Sequence, residues 1–493
     1  MKVSPGITPL VTVDRNSAVP MYRQVYQSFR TAVMDGRLRA GERVPSTRAL
    51  ALELRVSRIP ILNAYAQLLA EGYFESRTGA GTVISRSLPD PISKSDKPTR
   101  QRIRPRLGPR PVSSNSVEPS PPVRRILATR TWGPFSVGQV AFAQFPFRVW
   151  NSLVARHCRK TTTMSFDYGD PLGLKDLRDA IAAYVRTARA VRCEANQIMI
   201  VSGSQHALEI TSRVLLDHSC SVWMEEPGYT FARRVFRSRA CRIVPIPVDD
   251  EGIDVNEGIR RSPTARVAFV SPSHQYPLGA TMSASRRLQL IEWAERAGSW
   301  IIEDDYDSEY RYETMPIASL QGLDWNERVV YVGTFSKVLF PSLRLGYIVI
   351  PSDLVEQFIT VRVGVDISPP GFFQHVLADF IREGHFSRHV RRMRALYSER
   401  RAMLIKCLRD ELGHNVRITG EQAGTHVTLL LKNSVSDAEL VDRAAKRGLS
   451  LVPLSNSYLG KTVQQGLVLG FGSTPTEAIP SSVRKLGALL KSK

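Results

Sequence analysis

The five cysteines of this 493-residue chain form neither a CxxC pair nor any spacing that is typical of a metal site. The chain contains no run of about 18 uncharged apolar residues, which is close to the length that a helix needs to cross a bilayer. Its first 15 residues lack the sustained apolar segment of a signal peptide. These absences argue against a disulfide scaffold and a membrane span, and we expect a cytoplasmic protein with reduced thiols.

Positive charge is distributed unevenly along the chain. The formal net charge is +21, and residues 1–135 hold 22 lysines and arginines against 9 acidic residues, a local net charge of +13. A basic block of this size favours a polyanionic partner, most often nucleic acid. A merely solvated basic surface is the alternative, and charge alone does not decide between the two.

Composition divides the chain into three regions. Residues 12–86 carry helical apolar periodicity, and residues 87–130 are rich in proline and arginine, which predicts an extended flexible linker. Residues 131–493 alternate short β-branched runs with amphipathic stretches, which predicts an α/β fold with a mostly parallel sheet. The predicted strands lie at 198–202, 221–224, 242–246, 266–271, 299–303, 328–332 and 345–350.

The N-terminal region has the pattern of a helix-turn-helix followed by a wing. The predicted elements are helices at about 20–35, 47–54 and 58–71 and a two-stranded hairpin at 72–84. Gly36 is placed to end the first helix, and Ser46 and Ser57 to cap the second and third. The third helix is the one expected to enter a major groove.

This stretch resembles the winged helix-turn-helix of the GntR regulators. The resemblance extends over about 65 residues and is carried by Gly41, Arg43, Pro45, Ser46, Arg48, Leu50, Ala51, Val56, Ser57, Arg58, Ala64, Tyr65, Leu68, Glu71, Gly72, Tyr73, Gly79, Gly81 and Thr82. It implies contacts with a double-stranded DNA operator from Arg48, Ser57, Arg58, Gly79, Gly81 and Thr82. Pro60 departs from the family pattern, where a polar residue usually stands.

Three clusters of the C-terminal region suggest chemistry. Residues 201–207 follow a strand and open a helix, and the helix N-terminus and the Ser204 hydroxyl suit a phosphate group. Residues 301–307 bring carboxylates together at a strand end, which is costly without a nearby cation. A protonated pyridine nitrogen is one such cation, and a divalent-metal site or a solvated acidic loop are the alternatives.

The third cluster surrounds a lysine. Lys337 follows a strand in apolar surroundings, with Thr334 and Ser336 just before it and Arg344 seven residues after it. A lysine of this kind can form a Schiff base with an aldehyde cofactor. The hydroxyls and the arginine could hold a phosphate, the arginine through charge-assisted hydrogen bonds.

Together the clusters resemble the fold-type I pyridoxal-phosphate enzymes of the aminotransferase class, over about residues 131–493. The resemblance implies that Lys337 carries the cofactor, Asp304 pairs with the pyridine nitrogen and Tyr306 contacts the ring hydroxyl. Tyr229 would stack on the ring, and Tyr276 replaces the asparagine that usually touches the ring oxygen. The implied phosphate contacts are Ser204, Gln205, Thr334, Ser336, Arg344 and, across a dimer interface, Tyr168.

The fusion of these two modules resembles the MocR-type branch of the GntR regulators. Its members are dimers that switch genes in response to pyridoxal 5′-phosphate or to an amine or amino acid that reacts with it. The resemblance therefore implies a regulator that binds DNA, this cofactor and a second copy of itself, acts in the cytoplasm on the nucleoid, and is not an enzyme.

One departure bears on catalysis. Aminotransferases commonly hold the substrate carboxylate with an arginine in a late strand, and Val468 occupies that position here. Full transamination is therefore not expected. Two alternatives stay open: a working aminotransferase with an accessory DNA-binding domain, and an interaction protein that has lost the cofactor.

Overall fold

The computed structural model describes residues 11–77, 81–86, 133–160, 167–312, 318–413, 416–432 and 435–491. The chain separates into two compact units, Met1–Pro111 and Val112–Lys493. The stretch 87–130, predicted to be a linker, lies outside the described residues. No helix in the described parts of the chain is long and apolar enough to cross a membrane.

The N-terminal unit contains the three helices and the hairpin that the sequence predicts. Its elements are α1 (Met21–Met34), α2 (Thr47–Glu53), α3 (Arg58–Ala70), β1 (Phe74–Arg77) and β2 (Gly81–Ile84). The two strands pair antiparallel. The rings of Phe29, Tyr65 and Phe74 form a buried cluster of edge-to-face contacts, with centroids 5.1–5.6 Å apart. This cluster joins α1, α3 and β1 into one core.

The N-terminal caps of α2 and α3 differ. The Ser46 hydroxyl accepts a hydrogen bond from the Ala49 N–H at 3.2 Å, as predicted. Ser57 precedes α3, but its side chain makes no capping hydrogen bond, so the prediction of a side-chain cap there was wrong. The physical reason lies in the third helical residue, Pro60, which has no N–H to donate.

The C-terminal unit is built on an eight-stranded sheet in the order β3-β10-β9-β8-β7-β4-β5-β6. Its strands are β3 (Ile198–Val201), β4 (Ser221–Glu226), β5 (Arg242–Asp249), β6 (Gly252–Ile253), β7 (Val267–Val270), β8 (Trp300–Asp305), β9 (Val329–Thr334) and β10 (Gly346–Val349). All seven predicted strands are confirmed. The five from β9 to β5 are parallel, whereas β10 runs antiparallel to both of its neighbours.

Most helices of this unit connect or cover these strands. They are α4 (Phe147–Arg159), α5 (Lys175–Arg189), α6 (Ser204–Leu215), α7 (Thr230–Ser238), α8 (Val255–Arg261), α9 (Ala284–Ala297), α10 (Leu320–Leu323), α11 (Val355–Asp366), α12 (Phe372–Arg382) and α13 (His385–Leu412). The carboxyl ends of the parallel strands meet at one edge of the sheet, where ligands of α/β proteins usually bind.

The last part of the chain forms a second sheet. Four antiparallel strands are arranged in the order β11-β12-β14-β13, and two helices accompany them. Their bounds are β11 (Val416–Thr419), β12 (His426–Leu431), α14 (Asp437–Lys446), β13 (Val452–Pro453), β14 (Gly466–Gly470) and α15 (Ile479–Lys491). Of these strands, β14 alone is predicted by the sequence.

A buried arginine fixes the loop that follows β7. The Arg287 side chain on α9 is 1% exposed and donates to the backbone oxygens of Met282, Pro272 and Ala318. Two of these oxygens belong to the segment that contains Tyr276. Because a buried guanidinium needs its donors satisfied, these bonds hold the segment in one conformation at the edge of the sheet.

Candidate functional site

Lys337 lies three residues beyond the end of β9, and Phe335 and Val338, close to it in the chain, are buried. Its Nζ donates to the backbone oxygen of Gly138 at 3.0 Å, and a Cβ atom at Gly138 would come within 2.6 Å of that Nζ. Burial lowers the pKa of Lys337, while the nearby Asp307 and Asp304 oppose this shift. A lowered pKa enlarges the fraction of free amine, the form that attacks an aldehyde.

Asp304, near the end of β8, is buried and has an unsatisfied acceptor. Its Oδ1 is shielded from solvent and has no hydrogen-bond partner among the described residues. Burial raises the pKa of Asp304 to about 7, with Asp305 and Asp307 adding to the rise and Lys337 opposing it. An unpaired buried acceptor is destabilising, so a cationic N–H donor fits this position. A protonated pyridine ring offers that donor.

The neighbouring carboxylates of β8 already have partners. Glu303 accepts the N–H groups of Leu320 and Gln321 at 2.9 and 2.8 Å. Asp305 accepts from Arg189 Nε at 2.8 Å and from the Tyr331 hydroxyl at 2.5 Å. All of these acidic side chains are buried, so the alternative of a solvated acidic loop is wrong. The Asp305 Oδ1 also lacks a partner, but that carboxylate is held through its Oδ2, whereas the Asp304 side chain accepts no hydrogen bond from the described residues.

Tyr306 and Asp307 contact His274, a residue to which the sequence patterns assign no role. The Tyr306 hydroxyl donates to the backbone oxygen of His274 at 2.7 Å, and His274 Nδ1 lies 3.2 Å from both carboxylate oxygens of Asp307. The ring of His426 lies 4.6 Å from that of His274. Burial lowers the pKa of His426 well below its ordinary value, and His274 and Lys337 add to this shift. His426 is therefore neutral at pH 7.

His274, Asp307 and His426 are also the group of buried side chains in the described parts of the chain with ligand atoms close enough for a metal ion. The contact between His274 and Asp307 has the length of a hydrogen bond. Asp304 and Asp305 do not join the group, so the alternative of a metal held by the carboxylates of 301–307 gains no support. A clue to His274 was available, because it stands two residues before Tyr276.

Two tyrosines form an aromatic wall near Asp304. The rings of Tyr229 and Tyr276 meet edge to face with centroids 6.0 Å apart, and Gln205 Nε2 reaches the Tyr229 hydroxyl at 3.5 Å. Burial raises the pKa of Tyr229, with Asp304 the next contributor, and raises that of Tyr276 to about 12. Both phenols are therefore neutral at pH 7 and can offer a ring face or a hydroxyl to a ligand.

Polar groups suited to a phosphate gather at the start of α6. Gly203, with φ of +91°, precedes Ser204 in the first turn of that helix. A Cβ atom at Gly203 would lie 3.5 Å from Nη1 of Arg344, so this arginine reaches the helix start. The Thr334 hydroxyl accepts the Ser336 N–H at 3.2 Å. Free N–H groups of a first helical turn and an arginine together favour an anion.

Two predicted positions stand apart from this cluster. Tyr168 is 76% exposed, and its backbone N–H donates to the side chain of Asp167. Its predicted role across a dimer interface stays a prediction. Val468 is fully buried in β14, where it pairs with Thr428 and Val452. An apolar side chain at this position offers no charge to a substrate carboxylate.

The residues predicted to contact DNA are distributed over α2, the start of α3 and the wing. Arg48 on α2 and Arg58 on α3 are exposed, and Arg58 Nε donates to the Thr47 hydroxyl at 3.2 Å. Gly81 and Thr82 begin β2 of the wing, and a Cβ atom at Gly81 would approach the guanidinium of Arg43 to 3.2 Å. Gly79 lies outside the described residues.

Comparison with known families assigns both units. Residues 21–84 match the bacterial regulatory proteins of the gntR family, and residues 132–464 match aminotransferase class I and II. The chain is 38% identical to the probable rhizopine catabolism regulatory protein MocR of Rhizobium meliloti, over 97% of this chain and 95% of that protein. This chain is a MocR-type member of the GntR family of regulators.

Two further similarities agree with this assignment. The chain is 32% identical to the pyridoxine biosynthesis regulator PdxR of Corynebacterium glutamicum, over 91% of each protein. The C-terminal unit resembles the crystal structure of kynurenine aminotransferase from Pyrococcus horikoshii, with a TM-score of 0.71 and 26% identity over 76% of this chain and 95% of that one. This MocR-type regulator thus combines a helix-turn-helix with an aminotransferase fold whose cofactor is pyridoxal 5′-phosphate.

Proposed function

We propose that the chain is a transcriptional regulator whose affinity for DNA depends on what occupies the site around Lys337. The proposed effector is pyridoxal 5′-phosphate itself or a small amine or amino acid that reacts with it. When bound, this cofactor supplies an aldehyde that condenses with primary amines. The observation that carries the proposal is the unpaired Oδ1 of Asp304 beside a lysine whose pKa is lowered.

Each residue of the site has a proposed task. Lys337 supplies the amine that holds the aldehyde, and Asp304 neutralises the pyridine N–H. Tyr229 covers one ring face, while Tyr276 and Tyr306 offer hydroxyls at the ring edge. The phosphate is proposed to be held by Ser204, Gln205, Thr334, Ser336 and Arg344, with Tyr168 added from a partner subunit.

These residues allow an effector to control DNA binding without completing a catalytic cycle. An effector amine competes with Lys337 for the aldehyde and frees its side chain. Such an exchange shifts DNA binding only if two arrangements of the protein differ in affinity for the bound species. Completing a transamination also requires a held carboxylate, and the buried Val468 provides no charge for that purpose.

DNA binding is assigned to residues 12–86, joined by a flexible linker at 87–130 to an effector unit at 131–493. The proposed contacts with a duplex operator are Arg48, Ser57, Arg58, Gly79, Gly81 and Thr82. The effector units are proposed to form a homodimer in the cytoplasm, with the regulator associated with the nucleoid. Sedimentation at micromolar concentration should give twice the 55.1 kDa mass of the chain; a monomer contradicts the dimer.

A working aminotransferase with an accessory DNA-binding unit is the second candidate. The presence of Lys337, Asp304 and Tyr229 at the expected positions favours it. The deciding experiment has two steps. First, amines and amino acids are screened for one that changes both the absorption spectrum and DNA binding. Product formation from that compound and a keto acid is then measured. Regulation predicts a spectral change with negligible turnover. Rates of about 1–1000 per second, as in ordinary enzymes, would support the second candidate.

A further inference from the structure

The outward face of α3 is apolar. The buried stripe of this helix contains Ile61, Ala64, Tyr65 and Leu68. On the opposite side Ile59 is 67% exposed and Leu62 is 42% exposed, one turn apart, and both follow Arg58 at the start of the helix. Burial of such large apolar side chains against a partner lowers the free energy, because it removes them from water.

The charges around this face restrict its partner. A surface cleft between α2 and α3 is lined by Arg48, Ala51, Leu52, Arg55, Val56 and Arg58, and Leu52 in it is 82% exposed. Residues 47–70 contain three arginines and a single acidic residue, Glu53. Apolar side chains between exposed guanidinium groups fit an anionic partner that carries apolar groups at regular positions.

Duplex DNA has this combination in its major groove. Phosphates line the groove edges, and the methyl group of thymine is the apolar feature on the base edges. Asn63, the polar residue next to Leu62 on the exposed side of α3, can bond both N6 and N7 of adenine. An apolar helix face with one amide therefore matches A·T pairs better than G·C pairs.

We propose that Ile59 and Leu62 read thymine methyl groups in the operator, so that the specificity of this regulator depends on methyl contacts as well as on hydrogen bonds. This inference rests on the proposed DNA binding of residues 12–86 and adds the kind of base that α3 recognises. Arg48 and Arg55 supply contacts with phosphates, which position the helix without reading sequence.

The test uses the full-length protein and duplexes that differ by methyl groups. A binding duplex is first selected from a random-sequence library and is then synthesised with single thymines replaced by uracil, which removes only the 5-methyl group. At contacted positions the dissociation constant should rise about fourfold for each methyl group removed. Equal binding of the thymine and uracil duplexes overturns the inference, whereas failure to bind any duplex overturns the proposed function instead.

Side-chain variants assign the effect to α3. Ile59→Ala and Leu62→Ala should each weaken binding to the thymine duplex and lose the sensitivity to uracil at one position. Leu288→Ala removes a leucine that is 57% exposed in the C-terminal unit and should change neither quantity. If the α3 variants instead change sedimentation and leave DNA binding intact, the face contacts protein and the inference is wrong. The uracil duplexes test the inference without any variant.

Discussion

The residues assigned to function lie on the surface in the N-terminal unit, whereas most of those in the C-terminal unit are buried or partly buried. Arg48 and Arg58 are exposed and have room to follow a flexible polyanion, whereas Asp304 is buried and Lys337 largely so. Water and salt screen exposed charges, so each of them contributes little to DNA affinity, and the total affinity depends on the salt concentration. A single buried charge has a large effect on binding or stability, because no water stabilises it when its partner is removed.

This comparison predicts that single substitutions have larger effects in the C-terminal unit. Lys337→Ala should abolish the adduct that borohydride traps between protein and pyridoxal 5′-phosphate, because the reacting amine is gone. Mass spectrometry of the reduced protein measures this. Lys175→Ala, at an exposed lysine paired with Asp179, is the matched control and should keep the adduct. An adduct that moves to another lysine in the Lys337 variant would show that the site is assigned wrongly.

Asp304→Asn should weaken cofactor binding by about 100-fold, since an amide cannot balance a buried pyridinium charge. Fluorescence titration with the cofactor gives the dissociation constant. Asp250→Asn changes a carboxylate that is 90% exposed and should leave the constant unchanged. If both variants bind equally well, Asp304 does not face the ring nitrogen.

Arg58→Ala tests the surface side of the comparison. Binding to a selected operator should weaken by about 5- to 100-fold, and binding to random duplexes should weaken less. Electrophoretic mobility shifts at two salt concentrations measure both. Arg296→Ala, at an arginine that is 76% exposed on α9, is the control. Equal losses on all sequences would mean that Arg58 contacts only the phosphate backbone.

The smallest expected effect is a pH dependence of stability in the cofactor-free protein. Burial raises the pKa of Glu225 to about 8 and the pKa values of Glu303, Asp304 and Glu309 to about 7. The folded state then binds more protons at these acids than the unfolded state, so they should make the free energy of unfolding fall between pH 6.5 and 8.5, while the lowered pKa of Lys337 opposes this fall. The window starts at pH 6.5 because, at lower pH, histidines that are buried and neutral in the folded state become protonated on unfolding. This also lowers the free energy of unfolding.

Chemical denaturation at several pH values gives this slope. Asp304→Asn should flatten it, and so should bound cofactor, because a pyridinium partner favours the ionised carboxylate. A free energy of unfolding that rises with pH through this window would contradict the burial of these acids.

Local patterns predicted much of the fold. The seven strands of the large sheet, the three N-terminal helices and the hairpin follow from apolar periodicity and from turn residues such as Gly36, which has φ of +71°. The antiparallel β10 and most of the second sheet were not predicted, because strand direction and pairing depend on contacts between distant segments. Likewise, the predicted side-chain cap by Ser57 was wrong because Pro60, three residues later, has no N–H to donate.

The sequence by itself determined the kind of protein, because a helix-turn-helix motif and a Lys337 cluster are each defined by residues that lie close along the chain. Tertiary structure alone decided which acidic side chain of β8 accepts no hydrogen bond from the described residues. Arg189 pairs with Asp305 across 116 residues, and His274 meets Asp307 across 33. Sequence spacing carries no information on such contacts, since they arise only when the sheet brings distant segments to one edge. The Asp304 side chain stays available to a ligand because those partners bind Asp305 and Asp307 instead.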